Sequence, residues 1–194
     1  MKLNEMNEIE FTLSGYFELL SKKIQHILLR PENNVLTYDI LETEKSKINK
    51  LIALKEKQRQ MKVGEIWQVV LGNYKEFIDL TIGDETGLDI LSPTKKIVIE
   101  LKNRTNTDNA SSKKSNLDKL ANFKKKNPEY TCIYANINAN TETKTLHGYI
   151  KPIIHNDVEL EHHVGYEFIK YILGDDTDTI LDFVKTTIDT YTSY

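Results

Sequence analysis

The stretch IVIELKNRTNT, residues 97–107, alternates apolar and polar side chains and then turns wholly polar. A strand has a side-chain period of two, so Ile97, Ile99 and Leu101 share one face while Val98, Glu100 and Lys102 share the other. A carboxylate and an ammonium on one strand face ordinarily meet water and pair with charges across the sheet. Here Arg104 and a lysine-rich stretch follow directly. A core strand normally avoids that pattern, whereas an active site needs it.

Working backwards, TGLDIL (86–91) and the turn residues SPTK (92–95) predict a β-hairpin over 86–102, with Pro93 in the turn. Leu88 and Ile90 fall on one face of the first strand, and Asp89 and Leu91 on the other. Normal pairing then brings Asp89 towards Glu100. Two carboxylates so placed repel unless a cation sits between them. A hard divalent ion such as Mg²⁺ suits those oxygens, commonly taking one or two carboxylates along with phosphate and water. Lys102 emerges on the same face, where an ammonium can orient or deprotonate a water or stabilise developing negative charge. Further upstream, VGEIWQVVLGNY (63–74) predicts a buried helix ending near Gly72, with Glu65, Gln68 and Gly72 at i, i+3 and i+7. That stripe either faces solvent or offers Glu65 as a third acid, so the candidate metal ligands are Asp89, Glu100 and Glu65.

The remaining chain predicts an amphipathic helix over 8–30, punctuated by Pro31, and a second over 43–60. A helix over 111–128, strands over 130–137 and 145–154, and helices over 164–173 and 177–190 follow, with Asp175 or Asp176 as N-cap of the last. This order predicts an α/β fold: a mixed central sheet flanked by helices. Residues 1–60 read as a helical N-terminal extension and 61–194 as the core, within one compact domain. One cysteine, Cys132, excludes an internal disulfide and a Cys-rich zinc module. With no apolar run of membrane-span length, a cytoplasmic protein is expected.

The match Asp89, ten intervening residues, then Glu100-Leu101-Lys102 resembles the PD-(D/E)XK nuclease superfamily. Leu88 stands where that motif usually has proline, a position that is not a ligand. More narrowly, GLDIL…KKIVIELKNRTNT, GEIWQVVLG and GYEFIKYILGDDTDTILDFV look similar to type II restriction endonucleases that cut GGNCC or GGWCC sites. The resemblance covers roughly the C-terminal two-thirds of the chain. It implies a restriction-endonuclease-like fold, catalytic roles for Asp89, Glu100 and Lys102, a supporting role for Glu65, and DNA positioning by Asn103, Asn106 and Thr107.

Charge distribution points the same way. The whole chain has a net charge of −3, yet residues 95–126 hold ten Lys or Arg against Glu100, Asp108 and Asp118. A macrodipole-favoured helix end accounts for Lys124, Lys125 and Lys126. It leaves Arg104, Lys113 and Lys114, which belong near a phosphate backbone, while Asn103 and Asn106 can reach backbone or bases. His162 and His163 are adjacent, so on a strand they point apart and make a poor metal pair. His147 and His155 lack a partner at informative spacing, and Cys132 reads as a small core residue.

The leading expectation is a Mg²⁺-dependent type II restriction endonuclease that hydrolyses double-stranded DNA as a homodimer, since palindromic sites match two-fold protein symmetry. The alternatives are a structure-selective repair or recombination nuclease and a non-catalytic DNA-binding protein of the same fold.

Overall fold

Thr12 starts the first helix: its Oγ1 accepts the Gly15 N–H at 3.1 Å, the bond an N-cap makes. Helix α1 (Leu13–Leu29) then buries Tyr16, Leu20, Ile24 and Ile27 at helical spacing. A computed structural model provides this view and describes residues 11–31, 37, 39–80, 84–104, 110–138 and 148–192, the Arg104 side chain excepted.

Helix α2 (Glu44–Gly72) is a single run of 29 residues where the sequence predicted two helices. No glycine or proline interrupts residues 60–63, so nothing breaks the backbone there. What changes is burial. Ile48 and Ile52 are exposed, whereas Ile66, Val69, Val70 and Leu71 are buried. The division at residue 60 therefore falls in mid-helix, at a shift of environment.

Strands β1 (Ile78–Asp79), β2 (Ile90–Ser92) and β3 (Ile97–Arg104) form an antiparallel ladder, and β1 was not expected. Helix α3 (Ala110–Lys126) carries the chain to β4 (Thr131–Asn138), parallel to β3. Strands β5 (Tyr149–His155) and β6 (Val158–Val164) make a hairpin, and β6 lies parallel to β4. Strand β6 was also missed, because VELEHHV reads as acidic surface. The signal lay just before it: Asn156 and Asp157 both have positive φ (51° and 60°), the two-residue hairpin turn those side chains favour.

Helices α4 (Gly165–Leu173) and α5 (Thr177–Thr192) close the fold. Neither Asp175 nor Asp176 simply caps α5. A 3₁₀ turn covers Gly174–Asp176, and Asp176 Oδ2 accepts the Tyr74 hydroxyl at 2.6 Å, tying the segment after α2 to the start of α5.

The sheet order is β1-β2-β3-β4-β6-β5, mixed in direction and flanked by helices, the restriction-endonuclease-like arrangement. One face is covered by α1, α2, α4 and α5 over a core that includes Leu20, Ile90, Ile99, Ile133 and Phe168. Among the described residues, the other is covered by α3 alone, over Val98, Leu120, Cys132, Tyr134 and Leu160. Within the described residues, no helix is long and apolar enough to cross a membrane.

Candidate active site

The lightly covered face carries the polar residues. Register pairs Ile90 with Ile99, and one residue further the Asp89 N–H donates to Ile99 O at 3.1 Å, setting Asp89 opposite Glu100. The Leu101 N–H donates to Asp89 Oδ2 at 2.7 Å, which fixes that carboxylate beside the strand. Gly87, two residues earlier, has φ +62°, a backbone that suits glycine and turns the chain into the hairpin.

Glu100 is 2% exposed. Its Oε1 accepts the Lys102 ammonium at 2.5 Å, while Oε2 is buried with no hydrogen-bond partner among the described residues. Burial, with the neighbouring Asp89, raises the Glu100 pKa above the usual carboxylate range, against the pull of Lys102 and Lys119. Asp89 is raised as well, chiefly by burial, despite the Leu101 N–H and the same two lysines. An acceptor oxygen sealed from solvent without a donor is costly, and a bound cation resolves both that cost and the carboxylate repulsion. The donor set is all oxygen and so fits a hard divalent ion.

Glu65 is engaged by another element. Both its oxygens are held by Arg30 of α1, at 3.1 and 2.6 Å. Nor do the described residues bring three or more acidic, histidine or cysteine side chains together in a group that could hold a metal ion. The rest of its stripe faces protein too. Gln68 Nε2 donates to Asp79 Oδ1 at 2.9 Å, and Gly72 lies against β1 so closely that a Cβ would sit 2.8 Å from Asp79 Cα. The stripe is the seam where α2 meets α1 and β1.

The predicted DNA-contacting residues divide. Asn103 lies on the α2 face of β3, its amide donating to Gln60 O at 3.3 Å and its Oδ1 accepting from Asn138 at 2.8 Å. Arg104 ends β3, while Asn106 and Thr107 lie outside the described residues, as does His147. Lys113 stands 5.8 Å from the Tyr134 ring centroid, on the same face as Glu100. Lys114 is exposed on the same helix and helps lower the pKa of Asp118, whose carboxylate is held chiefly by His155.

Sequence reading missed Lys119. From α3 it reaches over the hairpin, its ammonium 3.1 Å from Gly87 O and 3.4 Å from Asn116 Oδ1, close enough to favour ionisation of both carboxylates. Only the β3–α3–β4 crossover brings it there, so no local motif marks it. The adjacent histidines do point apart. His163 meets Glu161 at 2.6 Å on one face, and His162 meets Asn136 at 2.7 Å on the other. Cys132 is a core residue, its thiol pushed up to about 11 by burial.

Comparison with curated proteins gives no match. Comparison with family models finds a match over residues 17–180, described as Eco47II restriction endonuclease, which takes in most of α1 and all of α2, the sheet, α3 and α4. Most of the chain, including the hairpin with its buried carboxylates, thus falls inside the match, and the protein belongs to the Eco47II restriction endonuclease family.

Proposed function

We propose that this restriction endonuclease is a Mg²⁺-dependent enzyme of the PD-(D/E)XK type, cutting double-stranded DNA at the site built by Asp89, Glu100 and Lys102. The observation that carries the reading is the sealed, partnerless Oε2 of Glu100 on the face it shares with Asp89 and Lys102. Asp89 and Glu100 would hold the ion. When bound, it would polarise the scissile phosphate and lower the pKa of a water. Glu65 is left out of the ligand set because Arg30 already engages both its oxygens.

The chain's own residues supply the rest. Lys102, tethered to Glu100 Oε1, has an ammonium poised to orient the attacking water or to offset charge growing on the phosphate. Lys119 supports ionisation of both carboxylates, which must be charged to hold a cation. Helix α3 excludes bulk water from one side of the pair and leads into the basic residues. Lys113, Lys114 and Arg104 are assigned to the DNA backbone, and Asn106 and Thr107 to backbone or bases on sequence grounds. Asn103 serves more naturally as a brace between α2 and β4. A two-fold homodimer would present two such sites to the two strands of a palindromic target, with the N-terminal helices as dimer contact or DNA clamp.

Digestion of plasmid and phage DNA with Mg²⁺, beside EDTA and Lys102→Ala controls, tests the reading. Discrete bands lost in both controls are expected, and sequenced ends will report whether the target is of the GGNCC or GGWCC type. Smearing without fixed ends would favour a structure-selective nuclease, and DNA binding without cleavage a non-catalytic one.

A further inference from the structure

The sheet register continues the active-site row outward. Glu100 pairs with Tyr134, Tyr134 with His162, and His162 with Lys151, crossing β3, β4, β6 and β5. The neighbouring row runs Lys102, Asn136, Val164, Tyr149. His162 is 9% exposed and held at both nitrogens, donating from Nε2 to Asn136 Oδ1 at 2.7 Å and accepting at Nδ1 from the Tyr149 hydroxyl at 3.2 Å. Its ring packs 5.4 Å from Tyr134 and 5.3 Å from Tyr149. Burial first, then Lys113, Lys151 and His163, lower its pKa to about 4, so it is a neutral prop between the rings.

Two ammonium groups stand over that prop. Lys113 from α3 lies 5.8 Å from the Tyr134 centroid, and Lys151 from β5 lies 4.6 Å from the Tyr149 centroid. Both are exposed and both bear on the same imidazole. Neither has a carboxylate partner among the described residues, whereas Lys47, Lys75, Lys95 and Lys185 each have one. Two cations gathered on aromatic faces without an acid call for an external anion. Lys151 also lies well outside the basic segment 95–126, so only the fold groups it with Lys113.

We propose that Lys113 and Lys151, supported on the Tyr134–His162–Tyr149 floor, form a second phosphate clamp that holds the DNA backbone beside the scissile phosphate. The inference rests on the endonuclease reading and deepens it. Three strand spacings of about 4.8 Å separate the Glu100 and Lys151 backbones, which puts the clamp a few phosphates from the cut. Lys151 and His162 are positioning residues here, because neither touches the reacting atoms.

The competing account is that Lys151, next to Pro152 on edge strand β5, only discourages strand pairing with other molecules. Salt dependence separates the two. In a Lys102→Ala background with Mg²⁺, binding of a duplex fragment that the wild-type enzyme cuts is followed across a KCl series. Lys151→Gln should reduce the slope of log K against log salt by about 0.9, Lys113→Gln by a similar amount, and the pair by about twice that. Lys151→Arg should restore the slope, and Lys125→Gln, at the far end of α3, should leave it unchanged. An unchanged slope in both Lys151→Gln and Lys113→Gln, with the wild type still cutting, overturns the clamp alone. A wild-type chain that neither binds nor cuts duplex DNA overturns the endonuclease reading and the clamp together.

Discussion

Among the chain's carboxylate–cation pairs, two stand at similar distances and in opposite circumstances. Glu65 and Arg30 meet at 2.6 Å with their side chains 39% and 47% exposed, and both oxygens have a donor. Glu100 and Lys102 meet at 2.5 Å with side chains 3% and 22% exposed, and one oxygen has none among the described residues. In the first pair the guanidinium fork matches the carboxylate and the surface screens what remains. In the second a single-point ammonium leaves half of a buried anion unanswered, beside a second anion. A carboxylate that is sealed, crowded and incompletely satisfied is what the proposed ion would complete. Mere possession of a cationic partner does not.

Cleavage should split the two pairs most widely. Lys102→Ala, Asp89→Asn and Glu100→Gln should each lower the cleavage rate by about a thousand-fold or more, in line with the loss of one preorganised electrostatic group. Glu65→Gln should leave the rate within about three-fold of wild type, since it only loosens the contact to α1. Single-turnover rates on a cut plasmid check this. A Glu65→Gln protein as inactive as Glu100→Gln would erase the distinction and return Glu65 to the metal site.

Metal binding read as stability is the next contrast. Saturating Mg²⁺ at about one hundred times its Kd should stabilise the wild-type protein by about 2.7 kcal/mol through linkage. Asp89→Asn and Glu100→Gln should lose that gain, and Glu65→Gln should keep it. Thermal melts with and without Mg²⁺ report the difference without any DNA present.

Without metal, the sign reverses. Asp89 and Glu100 have pKa values raised on folding, so the folded state holds protons that the unfolded state releases. Their contribution is therefore most favourable below the ordinary carboxylate pKa of about 4, and is lost as pH rises from there through the raised folded values. Glu100→Gln removes the buried charge while a carbonyl still faces Lys102. It should stabilise metal-free protein at neutral pH by about 1 kcal/mol, or roughly 2–4 °C in Tm, and flatten the decline between acidic and neutral pH. Denaturant midpoints at several pH values in EDTA give the answer.

How much of this was legible beforehand follows from what each residue depends on. The Asp89–Glu100–Lys102 juxtaposition needs only strand alternation and one hairpin register, both local, and could be read directly. Two other strands of the sheet could not. Strand β1 has two residues and exists because β2 pairs with it. Strand β6 hides its alternation because Glu159 and Glu161 precede two histidines that are both buried, so its sequence looks more polar than its position between β4 and β5. Glu65 was ambiguous for a related reason: its stripe on α2 is compatible with solvent or with the hairpin, and its engagement by Arg30 of α1 depends on packing that spacing does not report. Lys119 reaches the Asp89–Glu100 pair from a crossover helix, and Lys151 of the proposed clamp sits on an edge strand far away in sequence, where no spacing rule applies.

The smallest effect belongs to the satisfied pair itself. A double-mutant cycle on Arg30→Ala and Glu65→Ala should give a coupling energy of about 0.2–1 kcal/mol, the range of exposed ion pairs, and towards its upper end because the contact is bidentate. Since both side chains are more than a third exposed, the coupling should shrink as salt rises past the point where the Debye length falls below about 8 Å. A coupling that holds constant in high salt would mean that the pair is shielded from solvent in solution. Glu65 would then share the defining property of Glu100, and the contrast between the two carboxylates would have to rest on the partnerless oxygen alone.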